Sequence, residues 1–393
     1  MALADLADRL DCFQRMSMRQ GKVEEPISTP LQTAPPALRS SVSFDSDTVD
    51  VVDALLAVDS ATGVHAPEPG QEAEEKHSIE IEEGLAATAL AMEDFRGVIR
   101  HCSRIVQARP DHFEAWFNLG VARQQASELD AAVFAYQQAF RLRPEDPRPL
   151  LNLGMVRQAL DDPGGAREAY QGALALDPNL PLGLWNLGLL LEQAGSWGEA
   201  GDLYARLADL RPEWEDAWFR LGLISLKREH WSRAREAFDA CLGRRKPWKE
   251  ASLNRAIALI RLGEGVLARD EFEGILADEP DCADALRGLA AASVALDSLE
   301  GADSVRYRLL ELQQPLPELT FHLALMLERQ GRLDEAVRMY CEALKEQPRF
   351  PEALLNLGHV LNAMGKRREA VECWKRAVGL KPEYAESYFG GIE

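Results

Sequence analysis

The segments FNLG, LNLG, WNLG, FRLG and LNLG, at 117–120, 151–154, 185–188, 219–222 and 355–358, are separated by multiples of 34 residues. Fixing the register on them gives repeat starts at 79, 113, 147, 181, 215, 249, 283, 317 and 351, with no insertion. A chain built from short similar units needs no single large core, because each unit has only to bury its face against its neighbours. That is how 393 residues fold without meeting the limit of roughly 250–300 residues at which one core stops growing.

Columns within the repeat show what the unit is. Position 7 is Leu in every repeat except one, where Arg255 stands, and position 8 is Gly or Ala throughout. Position 20 is Val98 and then Ala in all later repeats, and position 24 is aromatic in seven (Tyr136, Tyr170, Tyr204, Phe238, Phe272, Tyr340, Trp374). Pro closes seven units at position 32, and Pro247 and Pro315 stand one residue later in the other two. Small residues at 8 and 20 let two helices approach, the aromatic fills the space between neighbouring pairs, and Pro stops the second helix. The turn between the helices is expected near Gly195, Gly263 and Gly331, where glycine supplies a left-handed cap. With Ala, Leu, Glu and Arg abundant, the expected class is all-α. Arg255 breaks the apolar column and either reaches the surface or pairs with an acid such as Glu271 or Glu273.

This pattern resembles the tetratricopeptide-repeat family over residues 79–384. The resemblance implies a right-handed superhelical solenoid of nine 34-residue helix-turn-helix repeats, with the first helix (A) of each unit lining a concave groove and the second (B) outside. It also implies an adaptor or scaffold that binds another protein. On that reading positions 2, 5, 6, 9, 12 and 13 face the ligand. Position 6 holds Asn118, Asn152, Asn186, Arg220, Asn254 and Asn356. This column is similar to the asparagine ladder in the repeats of the eukaryotic O-linked N-acetylglucosamine transferase, which holds the backbone of an extended peptide. The chemistry is apt, because a side-chain amide both donates and accepts and so pairs with any peptide unit. Position 5 adds Phe117, Trp185, Phe219 and Phe321, giving an apolar groove with amide rungs. The competing reading is that positions 5 and 9 pack within the solenoid.

Basic residues at groove positions, Arg220, Lys227, Arg261, Arg287 and Arg329, cluster in the later repeats, whereas Arg148 stands alone before them. Two readings stay open: they meet an anionic group on the ligand, or they pair with Asp216, Glu250 and Asp284 at position 2. The family's carboxylate clamp for chaperone tails is not reproduced. Asn186 and Arg220 match two of its members, but Asp216, Leu151 and Met155 replace the others.

With 64 acidic and 44 basic side chains, the chain is not expected to bind nucleic acid, whose affinity comes from clustered Lys and Arg. No apolar run reaches membrane-spanning length, Asp5, Asp8 and Asp11 interrupt any secretory signal, and the six cysteines show no zinc spacing. The expectation is a cytoplasmic, non-catalytic chain with no cofactor, no metal and no membrane insertion, since no GxSxG, GxxxxGK[ST] or HExxH occurs. His322 and His359 lack a third ligand.

Residues 1–78 carry 14 acidic and 6 basic side chains, and are expected to be a disordered arm with one or two short helices around Leu3–Phe13 and Val51–Val58. Docking of one of these into the chain's own groove, or onto a separate partner, are alternatives. Residues 385–393 read as a partial capping helix whose Tyr388 and Phe389 leave an end suited to self-association. A regulatory or assembly subunit contacting partners through the B helices or the arm is the alternative to a groove-binding adaptor.

Overall fold

The computed structural model describes residues 69–245 and 247–385. They form two compact units parted between Ser196 and Trp197. The first unit holds α1 (Pro69–Ala91), α2 (Phe95–Ala108), α3 (Phe113–Gln125), α4 (Leu129–Leu142), α5 (Arg148–Ala159), α6 (Pro163–Leu176) and α7 (Pro181–Gln193). The second holds α8 (Trp197–Leu210), α9 (Glu215–Lys227), α10 (Trp231–Arg244), α11 (Lys249–Arg261), α12 (Gly265–Asp278), α13 (Ala283–Ala295), α14 (Leu299–Glu311), α15 (Pro317–Arg329), α16 (Leu333–Glu346), α17 (Pro351–Ala363) and α18 (Arg367–Leu380). Odd-numbered helices are the A helices of the repeat and even-numbered ones the B helices. Within each unit consecutive helices pack on one another, and successive A helices also touch, as α3 does α5 and α9 does α11.

α1 begins at Pro69, ahead of the boundary expected at 79, and proline suits a first helical turn because its missing N–H has no partner there anyway. No described helix precedes α1, so Ile81 and Leu85 are exposed, although Leu85 occupies the column that is buried at Leu119 and Leu153. The expected helices at Leu3–Phe13 and Val51–Val58 lie outside the described residues, as does most of 385–393. Tyr384 ends the last hairpin, buried, with its hydroxyl donating to Glu352 at 3.0 Å.

In the second, third and fifth repeats the hairpin closes through contact between a glycine and an aromatic ring. A methyl group placed on Gly120, Gly154 or Gly222 would lie 2.5–2.6 Å from the ring of Tyr136, Tyr170 or Phe238 in the same repeat, far inside van der Waals contact. Those rings are fully buried, and Ala at position 20 is wholly buried from Ala132 to Ala370. In the sixth repeat Ala256 takes the place of glycine at position 8. There the Phe272 ring bears instead on Gly288 of the next repeat, where an added Cβ would sit 2.2 Å from it. The gap in the asparagine column at 288 is therefore steric: the ring fills the space a longer side chain would need.

The turn between helices has one geometry in all nine repeats. Position 15 has positive φ throughout, but only Gly195, Gly263, Gly331 and Gly365 are glycine. Glu93, Ser127, Asp161, Glu229 and Asp297 adopt φ between 52° and 63° at the same place. The following N–H donates to the carbonyl five residues back, as from Glu128 to Arg123 at 2.8 Å and from Ser196 to Leu191 at 2.8 Å. This is a Schellman cap, which satisfies the last carbonyls of helix A. Each non-glycine residue there costs about 1–2 kcal/mol in steric strain, which the packing on either side of the turn offsets.

Two arginines replace apolar residues of the repeat and are held by carboxylates. Arg255 Nη1 donates to Asp239 Oδ1 at 2.9 Å and Nη2 to Glu271, one of the two acids expected for it, while its buried Nε has no partner. Arg306 stands at position 24, where seven repeats carry an aromatic, and is only 4% exposed. It donates to Asp303 at 3.1 Å and, across to the next B helix, to Glu342 at 3.0 Å.

Gly154→Ala should lower stability by about 1–3 kcal/mol through overpacking against Tyr170. Gly274→Ala, on an exposed stretch of α12 with nothing within 4 Å of the new methyl, should raise it by about 0.5–1 kcal/mol. Urea unfolding of both variants measures the contrast. Arg255→Met should cost about 1–3 kcal/mol by stranding Glu271, and adding Glu271→Gln should recover part of that loss in a double-mutant cycle.

Candidate interaction surface on the A helices

The position-6 side chains do not behave alike in the two units. In the first, Asn118, Asn152 and Asn186 occupy successive A helices α3, α5 and α7. No hydrogen bond to a described residue engages the side chain of Asn118 or Asn186, and both are half-buried. Asn152 is 3% exposed, and its Nδ2 is buried without a partner. The Tyr136 phenol lies close enough for the Asn152 amide to oppose, weakly, the strong upward push that burial gives its pKa. That phenol donates to Gln124 Oε1 at 2.9 Å, and its oxygen does not meet the Asn152 amide in hydrogen-bonding geometry.

In the second unit the corresponding amides are engaged by their own helices. Asn254 Nδ2 donates to the Glu250 carbonyl at 2.7 Å, and Asn356 Nδ2 to the Glu352 carbonyl at 3.1 Å. Each side chain bonds one turn back, a local partner that any helical asparagine can find.

The aromatic residues at position 5 are largely covered. Phe117 and Trp185 are buried. The Phe117 ring stacks on Phe113 at 6.1 Å and lies 5.9 Å from Tyr136, and the Arg148 guanidinium sits 5.0 Å above it. Phe219, half-buried, stacks on Trp248 at 4.7 Å and meets Phe238 edge-on at 5.8 Å. Phe321 repeats this between Tyr340 and Phe350, at 5.8 and 5.0 Å. The position-5 ring thus packs on the position-24 ring of its own repeat, and in the second unit also on the residue just before the next A helix.

The basic residues divide between acids and aromatic rings. Arg287 lies 3.6 Å from Asp284 and donates to Gln314 at 3.0 Å. Arg220 opposes the burial that raises the pKa of Asp216, as does Arg245 more strongly. Arg329 is 3.8 Å from Asp297. Arg261, in contrast, lies over the Trp231 ring at 4.6 Å. Arg306 and the tryptophans beneath the cations were not anticipated from the sequence, although the break at position 24 and the recurrence of Trp at position 17, in Trp197 and Trp231, would have pointed to them.

His322 is buried beside Phe321, and His359 is exposed beside Trp374. Among the described residues no group of three or more His, Cys, Asp or Glu is placed to hold a metal ion. Burial pushes the Cys102 and Cys241 thiols up to about 12, which leaves them protonated and unreactive as nucleophiles near neutrality. No described helix is long and apolar enough to cross a membrane.

Sequence models of the tetratricopeptide repeat match residues 84–147, 151–213, 219–277, 317–360 and 351–384, more than half of the chain. No curated protein matches it in sequence. Among solved structures, MamA protein is 21% identical, with 43% of this chain and 92% of that chain covered and a TM-score of 0.40. Pseudomonas aeruginosa pilF is 24% identical over 53% of this chain and 94% of its own, with a TM-score of 0.38. A tetratricopeptide repeat protein from Parabacteroides merdae is 18% identical over 68% and 98%, with a TM-score of 0.40. At this level of similarity these neighbours say nothing of what the present chain binds. The matched repeats, the eighteen described helices and their hairpin packing place the chain in the tetratricopeptide-repeat family.

Proposed function

We propose that the chain is a protein-interaction adaptor that holds an extended polypeptide along the A helices of its first unit, with Asn118, Asn152 and Asn186 as the rungs. Repeats of this family form protein-binding scaffolds, and the finer reading rests on the state of the three amides. A buried N–H without a partner costs about 1–3 kcal/mol, and Asn152 Nδ2 is such a group. No helix carbonyl bonds it, and the Tyr136 phenol beside it is not in hydrogen-bonding geometry, so rotation toward a bound peptide carbonyl would recover what the free protein lacks. Asn118 and Asn186, one repeat to either side, are equally unengaged. Peptide groups recur along any extended chain, so three amides on successive helices suit backbone recognition whatever the ligand's sequence.

The buried rings at Phe117 and Trp185 support a narrower role for position 5 than direct ligand contact. They fix the helices that carry the amides, which keeps the rungs in register. Asn254 and Asn356, already bonded within their own helices, offer less to a ligand, so the reading gives them no part in the primary site.

The test is a pull-down and titration comparing the full chain with a variant carrying Asn118→Ala, Asn152→Ala and Asn186→Ala. The partner should be lost or weakened by at least about tenfold, which corresponds to about 1.4 kcal/mol shared over three bonds. A partner retained in full would move the binding surface to the B helices or the arm. Asn152→Ala alone should leave stability unchanged or raise it by up to about 1 kcal/mol while weakening binding, because it removes an unsatisfied group. A thermal melt alongside the titration reads both effects.

A further inference from the structure

In the sixth repeat the space between one B helix and the next is left open. Position 4 of the A helix supplies a large apolar side chain in six repeats, as Trp116, Leu150, Leu184, Trp218, Leu286 and Leu354. On α11 the residue there is Ser252, half-buried. Position 26, on the B helix of the same repeat, shows the difference. A methyl group placed on Gly172, in the third repeat, would lie 3.1 Å from the Leu150 side chain, whereas one placed on Gly274 meets nothing within 4 Å. Thr320, in the eighth repeat, is also small, but it is wholly buried.

The result is a cleft of about 760 Å³ between α10 and α12, over α11. Leu242, Pro247, Trp248 and Ile275 give it apolar walls, and Ser252 with Gly274 leaves its middle empty of side chains. Water against apolar walls finds few hydrogen-bond partners, so a large apolar side chain that displaces it is favoured. The volume is ample for one.

Charge defines what stands beside that side chain. The two cations lining the cleft are already neutralised, Arg255 by Asp239 and Glu271, and Lys249 by Glu279 at 2.9 Å. Asp278 is exposed and makes no ion pair among the described residues. Asp270, also exposed, meets its chain neighbour Arg269 at 2.8 Å, a surface pair of the kind that contributes little. Asp270, Gly274 and Asp278 all line the cleft. They recur every fourth residue and so share one face of α12, with the two acids about 12 Å apart along its axis. In an extended chain, residues two apart point to the same side, and residues four apart are separated by about 13 Å. A bulky residue over Gly274, with a basic residue two places before it and another two places after, therefore meets the cleft and both acids from one side.

We propose that the cleft between α10 and α12 docks an extended segment of a partner protein in which an aromatic residue has a basic residue two places before it and two places after. The aromatic side chain takes the place that Trp116 fills in the second repeat. The cleft lies in the second unit and the three asparagine rungs in the first, so neither reading rests on the other.

The test uses the full chain and the fluorescein-labelled peptide Gly-Lys-Thr-Trp-Thr-Lys-Gly, followed by anisotropy. One control peptide carries alanine for tryptophan, and another carries glutamate for both lysines. The tryptophan peptide should bind at least about tenfold tighter than the alanine control, as burial of one aromatic side chain predicts, and several-fold tighter than the glutamate control. Ser252→Leu, which introduces the residue that four other repeats carry, should bring the tryptophan and alanine peptides within about twofold of each other, with a melting temperature unchanged or raised. Should that variant not fold, Gly274→Gln closes the cleft from α12 with the residue that stands at Gln138 in the second repeat, and the same loss is expected. Asp270→Asn with Asp278→Asn should abolish the preference over the glutamate control and keep the preference over alanine.

A tryptophan preference below about twofold, or one that survives closure of the cleft, would overturn the proposal. Loss of that preference on substitution of Asn118, Asn152 and Asn186 would move the peptide to the A helices, overturning the cleft and leaving the adaptor reading standing. A tryptophan preference that needs Ser252 but is equal for lysine and glutamate flanks would overturn the basic partner. A chain that sediments as a dimer, and as a monomer once it carries Ser252→Leu, would make a second copy the occupant and overturn the foreign one.

Discussion

The close approach of a glycine backbone to a buried ring governs what the repeats tolerate. Where Gly120, Gly154 and Gly222 lie under Tyr136, Tyr170 and Phe238, there is no room for even one methyl group. That contact sets how near helix A comes to helix B, and the separation determines which side chains of helix A stand clear of the core. In the sixth repeat, where position 8 is Ala256, the arrangement differs. The Phe272 ring bears on Gly288 of the next repeat, and the position-6 column loses its side chain there.

Buried charge follows the same logic of local compensation. Arg255 and Arg306 stand where other repeats carry Leu or an aromatic, and each is tied to carboxylates on B helices, Arg306 to one in the next repeat through Glu342. Removing an acid beside Arg306 strands a charge that is only 4% exposed, whereas Asp239, at 51% side-chain exposure, returns to water on losing Arg255. The acids beside Arg306 are therefore committed to structure. Lys227 and Arg261 differ in kind, since each lies over a tryptophan ring, Lys227 Nζ 3.7 Å from the centroid of Trp197 and the Arg261 guanidinium carbon 4.6 Å from that of Trp231.

Much of the fold was legible in the residues. The 34-residue period, the small positions 8 and 20, the ring at 24 and the closing proline together require helical hairpins that stack, because each column has one physical use. The turn was only partly legible. Glycine marked it in Gly195, Gly263 and Gly331, but Glu93, Ser127, Asp161, Glu229 and Asp297 take the same left-handed backbone without glycine's freedom. Their local preference is overridden by the packing of the two helices they join.

The candidate site was less legible, for a reason that concerns reach. Sequence determined which residue occupies each position of each A helix, and hence that an asparagine column and a basic cluster exist. Only the tertiary structure decided that Asn254 and Asn356 bond to their own helices while Asn118, Asn152 and Asn186 do not. Likewise it decided that Phe117 and Trp185 are covered, and that Arg287 meets Asp284 while Arg261 lies on Trp231. Helical spacing is a property of one segment. Some partners are local, as Glu250 is for Asn254, but others, such as Gln314 for Arg287 and Trp231 for Arg261, come from elsewhere in the chain and are brought within a few ångströms by the stacking of hairpins, a distance that no column read along the chain contains.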